Sequence, residues 1–313
     1  MPPRDSSRSL PALLRMSVQM SLQLAVLLTL ALGGCENDAA PAETTDAGHV
    51  DVPAPTAWLT VLDVLSFTRG KDGVAPGFNI DGVVSADGDE ASCGKSDFIA
   101  PWGATGVDNQ FARLVPLIEL SGIGALEGIV EAVIKDGGLL ILVQLEGVDD
   151  QKNDSDVRLR VRLGSGAPLL GTDGQVLAGQ TFHLHDNSPE TTLNGTIVDG
   201  LLTTNAVDTE LPIVVFGVGY ALKLRKAQFR GRLTESGGLT DGFLGGAVPI
   251  TSILEIAKKA EEGQKGVYDL VSAIMETAGD LSRDKDTGLC TEISATFGFS
   301  SVSAFLMDDK LAP

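Results

Sequence analysis

The part of the chain that follows residue 56 predicts an α+β fold: a mainly antiparallel β-sandwich or open barrel with helices inserted near the start and the end. Three observations carry this reading. Val157, Leu159, Val161 and Leu163 alternate with Arg158, Arg160 and Arg162, which is the period-two pattern of a strand with one buried face. Further runs rich in β-branched residues follow at short intervals, with Gly and Asp/Asn between them. Helical spacing is confined to two places, one near each end of the body. From Ala57 to Pro313 there are about 257 residues, enough for one large core or two small ones, and we read 57–313 as a single domain.

Taken in order, 58–68 is a first strand, rich in β-branched and aromatic residues. A Gly/Asp-rich excursion over 72–106 follows, containing Cys93 and Trp102. Phe111, Leu114, Val115 and Ile118 then fall at helical spacing, with Asp108 the expected N-cap and Pro116 limiting the helix. Leu126, Ile129, Val130, Val133 and Ile134 form a second helical stripe, stopped by Gly137-Gly138. Strands are expected at 139–145, 157–163, 180–185, 192–203, 211–216 and 218–233. The apolar run 242–254 reads as a buried loop leading into a core helix, or as cavity lining. Helices over 250–260 and 267–281 and a last strand over 292–305 complete the body, and no internal repeat is present.

The first 56 residues have a different character. Arg4, Arg8 and Arg15 form a basic start, and 22–32 is apolar apart from Gln23 and Thr29. That run has the length of a secretion-signal core and falls short of the roughly 20 residues a membrane-spanning helix needs. It ends in Leu32-Gly33-Gly34-Cys35, which resembles the lipobox of bacterial lipoproteins. The resemblance implies that 1–34 is a signal peptide and that Cys35 is the lipid attachment site. It further implies a cell membrane or outer membrane anchor, with the body facing the periplasm or the cell exterior. Residues 36–56 are rich in Ala, Pro, Asp, Glu and Thr without apolar periodicity, so 35–56 reads as a disordered tether.

Removing 1–34 takes away three Arg and one Asp, leaving 20 basic and 41 acidic residues and a net charge of −21. So negative a chain disfavours nucleic acid and anionic lipid as broad-surface partners. Two cysteines, Cys93 and Cys290, remain in the body. In an exported protein such a pair most simply forms one disulfide, tying the start of the domain to its end; two free thiols are the alternative.

Three constellations could carry chemistry. Acids cluster on Gly-rich turns: Asp87 and Asp89 beside Asp81 and Glu90, then Asp149, Asp150, Asp154 and Asp156, then Asp280, Asp284 and Asp286 before Gly288. Calcium takes six to eight oxygens from such turns and is the metal they would bind, although solvated acidic turns look the same in sequence. The second is His183-Leu-His185-Asp186, where two imidazoles on one strand face could grip zinc or copper; exposed strand histidines are the plainer reading. The third is a basic ladder of Arg158, Arg160 and Arg162 on one strand and Lys223, Arg225, Arg230 and Arg232 on another. Were the two strands adjacent, an anion could relieve their repulsion; acidic strands between them would make ordinary cross-strand pairs.

The segments 77–82, 93–98 (Cys-Gly-Lys-Ser-Asp-Phe), 106–110 (Gly-Val-Asp-Asn-Gln) and 293–299 resemble those of an uncharacterised group of bacterial secreted lipoproteins. The resemblance implies no activity. The terminal Asp/Gly loop of that group is richer in Asp and Gly than 280–292 is here. Gly-x-Ser-x-Gly, Gly-x-x-x-x-Gly-Lys and His-Glu-x-x-His do not occur. The expectation is therefore a non-catalytic envelope binding or structural domain with an unassigned envelope ligand. A lipid or apolar-ligand carrier and a hydrolase using paired carboxylates are the alternatives.

Overall fold

The structure is a computed structural model and describes residues 57–119, 126–186, 190–215, 218–261 and 265–307. The expected signal, Cys35 and the tether lie outside the described residues. Val52–Pro313 form one compact unit that carries its own core.

Among the described residues the chain opens with β1 (Ala57–Phe67), α1 (Phe111–Ile118), α2 (Leu126–Lys135), β2 (Ile141–Glu146) and β3 (Asn153–Ser165). β4 (Gln180–Leu184), β5 (Thr191–Val198), β6 (Leu201–Thr204), β7 (Val207–Val215) and β8 (Val218–Leu233) follow. It closes with β9 (Leu239–Pro249), α3 (Ile250–Ala260), α4 (Val267–Ala278), β10 (Leu281–Arg283) and β11 (Cys290–Leu306).

Strands β1, β2, β3, β5, β6, β8, β9 and β11 pair antiparallel in that order, and β11 pairs back onto β1. The mainly antiparallel α+β class is thus what forms, as a closed eight-strand barrel with, among the described residues, extra strands and four short helices. Closure satisfies the backbone groups that an open sheet leaves at its edges. β7 extends a ribbon with β8, β10 pairs with β11, and β4 joins the end of β3 to the end of β11.

The period-two pattern sets inside and outside. Leu145 lies opposite Leu159, and Leu159 opposite Leu193, and all three are fully buried. The alternate phase points outward with Glu146, Arg158 and Asn194 in register. In β8 the phase changes midway. Leu224 is buried, and so are Ala227 and Phe229, because Lys226 sits in a bulge at φ 49°. That extra residue keeps Lys223 and Arg225 on the same outer face as Arg230 and Arg232.

Four expectations change. The run 192–203 is two strands, β5 and β6, folded over Asp199-Gly200 at φ 50° and 76°. Those are the angles of a tight hairpin turn, which Asp-Gly favours. The apolar run at 242–254 belongs in its first part to β9, a central strand between β8 and β11. Its glycines make room for aromatic rings. A Cβ on Gly242 would lie 2.6 Å from the Phe299 ring, and one on Gly245 2.6 Å from the Phe78 ring. The helix expected to 281 ends at Ala278, and β10 begins three residues later. Gln110, not Asp108, is the N-cap position of α1. Asp108 instead accepts the backbone N–H groups of Ile80 at 2.6 Å and Asp81 at 3.3 Å.

The barrel's two ends differ. The turns β2–β3, β5–β6 and β8–β9, the first residue of β1 and the last of β11 share one end, because Ala57 pairs with Glu146 and Leu59 with Ala304. The longer connections, which carry the helices, leave from the other end. There Phe111 of α1 packs edge-on to Phe67 at 5.4 Å and lies 5.7 Å from Phe297.

Candidate functional site

A cleft of about 440 Å³ opens at the end that gathers the turns. Its apolar wall is Trp58 and Leu59 from the start of β1 with Phe305 and Leu306 from the end of β11. Gln144 from β2, Gln151 from the β2–β3 turn, Ser303 from β11 and Glu235-Ser236 from the β8–β9 turn supply its polar groups. The mouth of a barrel is a recurrent ligand position, and aromatic area with a few neutral donors is the usual lining.

Local chemistry builds each wall. The β8–β9 turn is closed by Thr234, whose Oγ1 accepts the Gly238 N–H at 2.9 Å. A Cβ on Gly238 would fall 2.3 Å from the Ser301 carbonyl oxygen, so glycine lets this turn lie against β11. The β2–β3 turn is organised by Asp154, which accepts N–H groups from Asp149 at 2.7 Å and Asp156 at 3.0 Å. Those bonds hold the Asp154 carboxyl below the usual carboxylate range. Gln144 donates to Glu146 Oε1 at 3.2 Å, and its own Oε1 has no hydrogen-bond partner among the described residues. Among the described residues lining the cleft, Glu235 carries the one carboxylate. The arrangement suits holding a small molecule with an apolar face and hydrogen-bonding edges.

The sequence-predicted residues lie elsewhere. Cys93 and Cys290 form the disulfide, at a Cα separation of 6.0 Å. It brings the loop holding Asp87 and Asp89 beside the loop holding Asp284 and Asp286, and Arg283 reaches Glu90 at 3.4 Å. The acids on these loops serve their own backbone. Asp89 accepts the Ala86 N–H at 2.7 Å, and Asp284 accepts those of Asp286 and Thr287, each at 2.8 Å. The bonds to Thr287 and Asp286 depress the Asp284 pKa. Asp280 lies apart from these turns, buried against Ser294. Among the described residues, no group of three or more His, Cys, Asp or Glu is placed to hold a metal ion. His183 and His185 are exposed at the end of β4, and His185 Nδ1 lies 2.7 Å from the Asp186 carbonyl oxygen.

The basic ladder is divided by the fold. β5 and β6 stand between β3 and β8. Arg160 pairs with Glu146 at 3.0 Å and with Glu190 at 3.2 Å, and Arg162 pairs with Glu190 at 3.0 Å. On β8, Arg225 pairs with the buried Glu292 at 3.0 Å, and Lys223 lies opposite Glu210. Arg158 faces a shallow polar trough with Ser155, Asn194 and Thr203. Arg230 stacks on Trp102 at 4.1 Å.

Segments 77–82, 93–98 and 106–110 are joined through their backbones: the Phe98 N–H donates to the Val107 carbonyl and the Asp108 N–H to the Phe78 carbonyl, each at 2.9 Å. Asp97 accepts the Ser85 N–H at 2.6 Å, and Phe98 lies under the Arg113 guanidinium at 4.0 Å. Asn109 donates to Thr68 Oγ1 at 2.8 Å and to the Pro76 carbonyl at 2.7 Å, and Gln110 N–H donates to Ser294 Oγ at 2.7 Å. Burial and the nearby Asp81 push Asp108 up to about 8. Burial pushes Asp280 up to about 6 against the opposing bonds from Ser294.

Sequence reasoning singled out none of the mouth residues. They come from strand ends and turns far apart in the chain and share no spacing. A comparison of the chain with protein-family models, curated proteins and solved structures finds no match in any of the three.

Proposed function

We propose that this chain is a cell-envelope lipoprotein, held to a membrane by a lipid on Cys35, whose barrel binds a small ligand and catalyses nothing. The observation that carries the binding half is the mouth cleft, which sets Trp58 and Phe305 beside Gln144, Gln151 and Ser303. The anchor half rests on the basic start, the apolar run and the Gly-Gly-Cys that ends it. A single carboxylate in the lining favours binding over two-acid hydrolysis, which needs a second one about 5–10 Å away.

The carrier reading draws support from the same apolar wall. Leu62, Leu145, Leu159, Leu193 and Leu202 fill the barrel interior, so we place an apolar ligand at the mouth and not in the core. Native mass spectrometry of the chain extracted from envelopes tests both halves. The expected mass begins at Cys35 with a covalent lipid, and a non-covalent adduct is lost in Trp58→Ala. An unprocessed N-terminus would refute the anchor. An adduct unchanged by Trp58→Ala, or no adduct at all, would refute the cleft.

A further inference from the structure

We propose that the corner beside the mouth cleft is a membrane-contact face that seats the barrel on the apolar region of a lipid bilayer. Six large apolar residues there are open to water: Leu169 (67%), Leu170 (42%), Leu177 (45%), Phe305 (61%), Leu306 (38%) and Met307 (48%). They belong to two segments more than a hundred residues apart in sequence, which the fold joins. Gln180 lies in parallel register with Ala304. Its side-chain amide accepts the Leu169 N–H at 2.6 Å and donates to the carbonyls of Leu169 at 3.0 Å and Leu177 at 2.6 Å. Gly179 N–H donates to the Ser303 carbonyl at 2.7 Å, and Met307 N–H to that of Phe182 at 2.9 Å. These bonds fix the backbones of the two segments side by side. Exposed apolar groupings of this kind mark contact with another apolar surface.

The position of the chain's entry selects the bilayer as that surface. The body begins at Ala57, and Leu59 lies opposite Ala304, at the same corner. Twenty-one residues separate Cys35 from Ala57, and a coil of that length would have a root-mean-square reach of about 25 Å, so a membrane holding Cys35 would lie within range of this corner. This step rests on the anchor reading above. Charge selects the kind of lipid. Asp149 and Asp150 sit on the β2–β3 turn at this end, Asp156 follows near the start of β3 and Glu235 lies on the cleft, so anionic headgroups are repelled. The contact is apolar and works best on zwitterionic lipid.

The test uses residues 52–313, the compact unit, which carries no lipid, with Trp102→Phe so that Trp58 is the reporter. Flotation with phosphatidylcholine vesicles is expected, together with a blue shift of Trp58 emission and little sensitivity to salt. Mixing in phosphatidylglycerol should weaken flotation. The triple variant Leu169→Ser/Phe305→Ser/Leu306→Ser should lose about tenfold or more in partitioning. Its circular dichroism and unfolding midpoint would show that it still folds. No flotation, or equal flotation of the triple variant, would overturn the proposal. So would a dimer that the triple variant abolishes in place of flotation, because the corner would then be a self-interface. Failure of the anchor reading is seen separately, in the intact mass at Cys35.

Discussion

Asp280 holds Ser294 at both of its polar groups: the Ser294 N–H donates to Oδ1 at 2.7 Å, and its hydroxyl donates to Oδ2. Ser294 Oγ in turn accepts the Gln110 N–H, so one buried serine links the residues after α4, the strand β11 and the start of α1. Asp280 is 5% exposed and Asp108, just past the end of the excursion and two residues before Gln110, 3%. Two buried carboxyls therefore sit where the excursion meets the barrel.

Their raised pKa values make stability fall with rising pH. Folded Asp280 releases its proton at about 6 and folded Asp108 at about 8, both above the unfolded carboxylate. The folded chain thus holds more protons than the unfolded one, and stability has a negative slope in pH. The contribution is complete below the unfolded carboxylate pKa of about 4 and is lost as pH rises through each folded value. Each proton adds at most about 1.4 kcal/mol per pH unit. Urea denaturation from pH 5 to 9 should show the decline, and Asp108→Asn should flatten it above pH 6. A stability that climbs over this range would contradict the assignment.

The disulfide spans 197 residues of sequence and pins the excursion to the barrel. Cys93→Ser/Cys290→Ser should cost about 2–5 kcal/mol. Hydrogen exchange should rise first over 85–98 and least in β3 and β5. Uniform exchange across the whole body would mean that the bridge serves the barrel and not the excursion.

Inside and outside on β3 can be read by a pair of substitutions. Leu159 is fully buried and Arg158 exposed. Leu159→Ala should cost about 2–5 kcal/mol, whereas Arg158→Ala should change stability by no more than about 0.5 kcal/mol. Comparable costs in chemical denaturation would mean that the strand's facing is wrong.

The acidic turns are closed by their own backbone, as in Asp154 with Asp149 and Asp156 and in Asp284 with Asp286 and Thr287. EDTA should leave the unfolding midpoint unchanged in scanning calorimetry, and added calcium should not raise it. A midpoint that climbs with calcium concentration and then saturates would reveal a site.

Much of the fold was legible residue by residue. The alternation at 157–163 marked β3 and its buried face, and helical stripes at 126–134 and 250–260 became α2 and α3. The Asp199-Gly200 turn was also written in the chain, although 192–203 reads as one strand when its β-branched content is weighed alone. β9 was obscured because Gly242, Gly245 and Gly246 look like a loop until Phe299 and Phe78 are seen pressing on its two faces. Asp108 resembled a helix cap because its true partners, the Ile80 and Asp81 N–H groups, lie nearly thirty residues away.

Local pattern was enough to show which stretches extend, which coil, which faces of β3 meet water, and which two cysteines of the body were available to pair. Period and propensity are local properties, and they choose a face without choosing a neighbour. The tertiary structure alone decided that β11 closes onto β1 and that β5 and β6 divide the basic ladder. It also gathered Trp58, Gln144, Glu235 and Ser303 at one mouth. These relationships depend on hydrogen bonds between strands distant in the chain, whose register is settled only when the whole ring of side chains packs together.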